Sequence, residues 1–224
     1  YFATRCDVRD RGLNDITSTL IMASEHGYLE IVQTLLGRGA DVHKSNAFSN
    51  TALHLASQEG HIEVVRALLE AGAGADVRRA NESGYYTPIY CACDGKHMEV
   101  FRALVEAGGD VDTSDSDGYT ALHNASIHRF TEGVRYLVER GADVNMSTTD
   151  GNGHTPLTMA SYWGAVEVVR ALLEAGADAN KRNSDGRNPL SIALKDMAWR
   201  YTEELRQALA QIVVLLREAG AQEP

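Results

Sequence analysis

Thr51-Ala52-Leu53-His54-Leu55-Ala56 decides the fold, because the chain writes this stretch repeatedly. It returns as Thr87-Pro88-Ile89-Tyr90-Cys91-Ala92, Thr120-Ala121-Leu122-His123-Asn124-Ala125, Thr155-Pro156-Leu157-Thr158-Met159-Ala160 and Asn188-Pro189-Leu190-Ser191-Ile192-Ala193, with a worn copy at Ser18-Thr19-Leu20-Ile21-Met22-Ala23. The closing alanines Ala23, Ala56, Ala92, Ala125, Ala160 and Ala193 stand 33, 36, 33, 35 and 33 residues apart. Such a period marks a solenoid: a unit this small cannot bury its own apolar face, and stacked neighbours bury it instead. The outer surface of such an array suits the holding of another macromolecule and seldom encloses a catalytic pocket.

Within the second unit, Leu53 and Ala56 share a helical face, and the segment ends at Gly60, which accepts a left-handed turn. A second helix follows, with Ile62, Val65, Leu68 and Leu69 at three-and-four spacing while Glu63, Arg66 and Glu70 face elsewhere. Gly72 stands where a helix C-terminus favours glycine. After each helix pair come Gly-Ala-Asp-Val segments such as Gly141 to Asn145 and Gly176 to Asn180. Polar turns at Asp117-Gly118, Asp150-Gly151 and Asp185-Gly186 follow. Each unit is thus a helix pair plus a projecting, hairpin-like finger, and neither short helix is stable alone.

These motifs resemble the ankyrin repeat: the Thr-Pro-Leu-His-x-Ala opening, a Gly-His-x-Glu-Val-Val middle at Gly60-His61-Ile62-Glu63-Val64-Val65, and a Gly-Ala-Asp-Val-Asn close. The resemblance runs from about Asp15 to Ala221 in six units, about 16–48, 49–84, 85–117, 118–152, 153–185 and 186–221. Residues 1–15 read as the remnant of an upstream repeat or an N-terminal cap, with Cys6 to Arg9 as its closing finger, and 222–224 as a tail. The fold class it implies is an all-α repeat solenoid of stacked helix-turn-helix ankyrin units with β-hairpin-like fingers, the finger tips and first helices forming a concave face. It also implies that His54 and His123 are structural hydrogen-bonders joining neighbouring units.

The departures are local. The extra Ala73-Gly74 and the longer tips at 81–86 and 148–154 lengthen loops at little cost. Arg129 holds the turn position of Gly27, Gly60 and Gly164, where a left-handed backbone costs about 1 kcal/mol; otherwise that turn is remodelled. In the last unit Ala193 to Gly220 spans 27 residues against 16 from Ala160 to Gly176. The gain is about three helical turns, so Leu205, Leu209, Ile212, Val213 and Leu216 continue the buried face as a longer terminal cap.

Asp and Glu number 31 against 21 Lys and Arg, and the net charge of −10 argues against nucleic acid or anionic lipid as partner. No apolar run reaches the length of a membrane span. Three cysteines, Cys6, Cys91 and Cys93, form no disulfide framework and point to a reducing, intracellular compartment, the cytoplasm with the nucleus left open. Cys91, Cys93 and His97 do not make a metal site, since residues two apart on a helix face differently and no second cluster adds ligands. No nucleophile, phosphate loop or zinc-protease motif is present. Neither an enzyme activity nor a cofactor is expected.

The informative positions follow each motif alanine and precede each motif threonine, where residues recur in register on one face. In the first three units the former hold Glu25 and His26, Gln58 and Glu59, Asp94 and Gly95; in the fourth and fifth they hold Ile127 and His128, Tyr162 and Trp163. The finger positions add Tyr86, Tyr119 and His154. Tyr86, Tyr119, Ile127, His128, His154, Tyr162 and Trp163 are therefore the expected anchors for a protein partner, since Trp and Tyr dominate interface hot spots. The alternative is that Tyr162 and Trp163 pack down on neighbouring fingers. Asp115, Asp117, Asp150 and Asp185 would complement a basic segment of that partner. By resemblance, Asn145 matches a motif hydroxylated in ankyrin repeats, with Asn180 a weaker match; the competing reading is a structural finger asparagine.

The function expected is a monomeric protein-interaction scaffold or adaptor. The alternative is the recognition segment of a larger enzyme, ubiquitin-ligase adaptor or channel, a reading prompted by Tyr1 in place of an initiator methionine.

Overall fold

The computed structural model describes residues 16–82, 86–108, 110–197 and 202–222. The stub at Cys6 to Arg9, with the rest of 1–15, lies outside them. Six helix pairs follow in order: α1 (Ile16–Glu25) and α2 (Leu29–Gly37), α3 (Ala52–Gln58) and α4 (Ile62–Glu70), α5 (Pro88–Asp94) and α6 (Met98–Ala107), α7 (Ala121–Ile127) and α8 (Thr131–Glu139), α9 (Pro156–Tyr162) and α10 (Val166–Glu174), α11 (Pro189–Met197) and α12 (Glu203–Glu218). First helices pack on first helices and second on second, giving two layers.

The start of each first helix is written into its motif. Thr87, Thr120 and Thr155 accept the backbone N–H three residues on through their hydroxyls, which satisfies a donor that the helix leaves unpaired. Pro88 and Pro156 occupy the first turn, where proline's missing N–H costs nothing. The end comes at a left-handed residue: Gly27, Gly60 and Gly164 have φ of 72°, 76° and 68°. Arg129 keeps the turn by adopting φ 54°, so it is strained rather than remodelled. The third unit does the same with Lys96 at φ 54°, Gly95 remaining right-handed.

One ladder of side chains holds the stack. Leu20, Leu53, Ile89, Leu122, Leu157 and Leu190 come from equivalent motif positions and all are fully buried. Leu35, Leu68, Leu104, Leu137, Leu172 and Leu216 form the matching row from the second helices. Burial of a leucine contributes roughly 1.5–3 kcal/mol, and here it comes both from the partner helix of the same unit and from the neighbouring units.

The fingers are turns more than ladders. Among the described residues they carry isolated bridges, Ser45 with Thr51 and Ser114 with Thr120. Each is closed by a backbone bond, as from Asp115 N to Tyr119 O at 3.1 Å and Asn183 N to Arg187 O at 2.9 Å. The inserted Ala73-Gly74 forms a single 3-10 turn, Ala73–Asp76, that leaves the helices intact. In the last unit α12 runs 16 residues; Leu209, Ile212, Val213 and Leu216 are buried and Leu205 half-buried, so the longer helix keeps its apolar phase.

Candidate functional site

His54 and His123 tie fingers to helices. The Nδ1 of His123 accepts the Thr120 N–H at 3.1 Å, which leaves the proton on Nε2 to donate to the His154 carbonyl at 3.1 Å. His54 repeats this with Thr51 N at 3.2 Å and the Arg79 carbonyl at 2.8 Å. The acceptance at Nδ1 requires a neutral ring, and burial lowers each pKa from 6.5 to about 4 although the carbonyl bond at Nε2 pulls the other way. The expected structural role is thus seen in the geometry. In the fifth unit Thr158 does the capping with its hydroxyl, and in the third Tyr90 stands at this position.

Across the third to sixth units the inner helices and fingers enclose an open groove of about 510 Å³. Its floor comes from Ile127, Met159, Tyr162, Trp163 and Ile192, its finger wall from Asp115, Tyr119, Asn152, His154, Asp185 and Arg187, and Tyr90 closes one end. Tyr162 and Trp163 meet edge to face at 5.3 Å and are each 42% exposed. Each thus keeps part of its ring in solvent. Arg129 donates to the Trp163 carbonyl, which fixes the turn that carries them.

Of the seven expected anchors, Tyr119, Ile127, His154, Tyr162 and Trp163 line this groove. Tyr86 and His128 do not. Tyr86 lies edge to face on Tyr90 at 4.9 Å, and His128 also meets the Tyr90 ring edge to face, at 4.3 Å. The His128 side chain is only 10% exposed and its Nδ1 pairs with Asp94 at 3.2 Å. Burial lowers its pKa, against the pull of Asp94. These two residues contact Tyr90, which lines the groove, and do not line it themselves.

The acidic rim is partly committed to the protein itself. Asp150 accepts bonds from Thr148, Asn152 and the Tyr119 hydroxyl, the last at 3.1 Å. Its burial opposes ionisation, but these bonds prevail and hold its pKa at about 2. Asp185 pairs with Arg187 at 3.4 Å. Asp115 takes the N–H groups of Asp117 and Tyr119 on one oxygen, and partial burial raises its pKa.

Residues missed from sequence were within reach of its own rules. Arg187 precedes the sixth motif as Tyr119 and His154 precede theirs, and Lys195 follows its alanine in the register of Ile127 and Tyr162. Tyr90 signals itself as a tyrosine where His54 and His123 stand.

Asn145 is engaged at both ends of its amide, accepting Asp178 N at 2.8 Å and donating to the Gly176 carbonyl at 3.5 Å. Asn180 repeats the clip on Gln222 N at 2.7 Å and the Gly220 carbonyl at 3.1 Å. These bonds clip each finger to the segment that follows the next helix pair. Cys91 and Cys93 are buried, and burial pushes the Cys91 thiol up to about 12 and Cys93 well above its ordinary range. Among the described residues no group of three or more His, Cys, Asp or Glu side chains is placed to hold a metal ion. Nor is any described helix long and apolar enough to cross a membrane.

The ankyrin repeats (3 copies) family model matches residues 20–113 and 73–148, and the ankyrin repeats (many copies) model matches 131–173 and 159–196. No curated protein matches the chain. An ankyrin repeat domain from Acinetobacter baumannii AYE, known from a crystal structure, is similar at a TM-score of 0.70 and 27% sequence identity, over 91% of this chain and 98% of that one. The repeated motifs, the two-layer stack of helix pairs and the family models together make the chain a member of the ankyrin repeat family.

Proposed function

We propose that this chain is a non-enzymatic interaction module that binds a protein partner, as a monomer, in the concave groove of its third to sixth units. Ankyrin repeats are generally protein–protein interaction modules. The observation that carries the surface assignment is the Tyr162–Trp163 pair, two large aromatic side chains in mutual contact and part-exposed on the groove floor. Exposed aromatics grouped in a groove mark interaction sites, and such residues supply most of an interface's binding energy. The net charge of −10 and the carboxylates of Asp115 and Asp185 favour a partner segment bearing basic residues, chiefly through faster association.

The test is affinity capture from the source cell extract with the intact chain and with a Tyr162→Ala, Trp163→Ala variant. Titration of the purified partner against both chains follows. Both side chains are partly exposed, so the variant should fold with unchanged helix content. The partner's affinity should drop by at least about ten-fold, since hot-spot truncations cost more than 1 kcal/mol each. Equal affinity for the two chains would reject the groove as the binding surface.

A further inference from the structure

The fifth position of the motif lines the groove in the fourth to sixth units, and it holds Met22, Leu55, Cys91, Met159 and Ile192 in five units. In the fourth unit it holds Asn124. Asn124 is 5% exposed, and what is exposed opens on the groove floor. Its carboxamide makes no hydrogen bond with any described residue, although the backbone on both sides is fully paired into α7. Neither polar atom of the amide is sealed from solvent, so in the free chain it is left to the water of the groove and not to the protein. Here the five apolar equivalents show that the stack itself does not ask for it.

A carboxamide presents a donor and an acceptor side by side, matching the C=O and N–H that an extended peptide offers along one edge. The groove supplies the remaining complement. Tyr162, Trp163 and Met159 offer apolar contact, and Asp115 has one carboxylate oxygen that takes two backbone N–H groups and a second that takes none among the described residues.

We propose that the groove's occupant is an extended segment of the partner protein, that Asn124 holds a main-chain amide of that segment, and that a lysine or arginine of it reaches Asp115. This rests on the groove being the binding surface. Asn124 then acts as a specificity residue: it selects extended backbone over a helix, whose amides are already paired. It is a polar group that the free chain leaves to solvent in the groove and that the bound state pairs with peptide backbone.

The probe is a displayed library of random linear peptides, panned on the full chain; the best binder is synthesised and titrated. Selected peptides should share a Lys or Arg and a bulky apolar residue, and Trp163→Ala should abolish their binding. Asn124→Leu, which copies Leu55, should keep the fold yet weaken peptide binding about ten-fold. N-methylation of one peptide amide should weaken binding to the intact chain by a similar factor and leave binding to N124L unchanged. If N124L binds as well as the intact chain while Trp163→Ala still abolishes binding, the role of Asn124 is overturned and the groove stands. If selected peptides bind Trp163→Ala normally, they lie elsewhere and the groove reading falls with this one. Absence of any binder overturns the extended segment alone, because the capture of a folded partner through Tyr162 and Trp163 is measured separately.

Discussion

In the first three units His61 and His97 reach back to the carbonyls of Glu25 and Gln58, each at 3.0 Å, over Gly27 and Gly60. In the fourth and fifth units the same position holds Phe130 and Ala165. Phe130 packs on Phe101 with ring centroids 5.4 Å apart, and the space its ring needs comes from Gly133, which stands where Val64, Val100 and Val168 stand elsewhere. The concave faces differ in parallel: Glu25, Gln58, Glu59 and Asp94 on one half, Ile127, Tyr162 and Trp163 on the other. The comparison separates what stacking requires from what it leaves open. The leucine ladder is the same throughout, while the turn clip and the groove residues vary between units that share one fold.

The largest effect expected is on the common part. Leu122→Ala, in the middle of the ladder, should cost roughly 2 to 5 kcal/mol by denaturant unfolding, and Leu53→Ala a similar amount. A change near measurement error at either would mean that the two halves do not share a core register.

The capping histidines are also common to both halves, one in the second unit and one in the fourth. Above about pH 6.5 each is neutral in the folded and the unfolded chain, and its contribution is at full value. As the pH falls toward about 4 the unfolded chain takes up protons that the fold refuses, and each histidine removes about 1.4 kcal/mol per pH unit. His123→Gln should flatten the stability slope in that window by this amount, whatever its own stability; an unchanged slope would mean that the ring is not held neutral.

Smaller effects belong to the parts that differ. His97→Ala should cost about 0.5 to 1.5 kcal/mol through the lost bond to Gln58, read from urea midpoints. Lys96→Gly, which relieves an exposed left-handed residue, should stabilise by up to about 1 kcal/mol in the same measurement. A destabilising Lys96→Gly would show that the turn in the third unit is not strained.

Much of the fold was legible because each local signal agrees with the stack. The threonine cap, the glycine stop and the apolar spacing of Leu53, Val65 and Leu68 all point to the same helix pair. Even the long last unit could be phased, since Leu209 to Leu216 repeat at helical spacing. The groove was legible where one rule of register sufficed, as at Tyr162 and Trp163. It was not legible where a side chain's direction depends on a neighbouring unit. His128 shares the register of Trp163 yet turns in, because Tyr90 offers it a ring face and Asp94 a carboxylate. Asn124 looked like one more motif residue, since only burial beside missing partners distinguishes it.

The most direct test of the groove is backbone amide exchange of the chain with and without its purified partner. Protection is expected in the fingers about Asp115 to Tyr119 and Asp150 to His154 and in the turns after α7 and α9, with the turns at Glu25 to Tyr28 and Gln58 to His61 unchanged. Protection confined to those first two turns, or to the second-helix layer, would contradict the assignment.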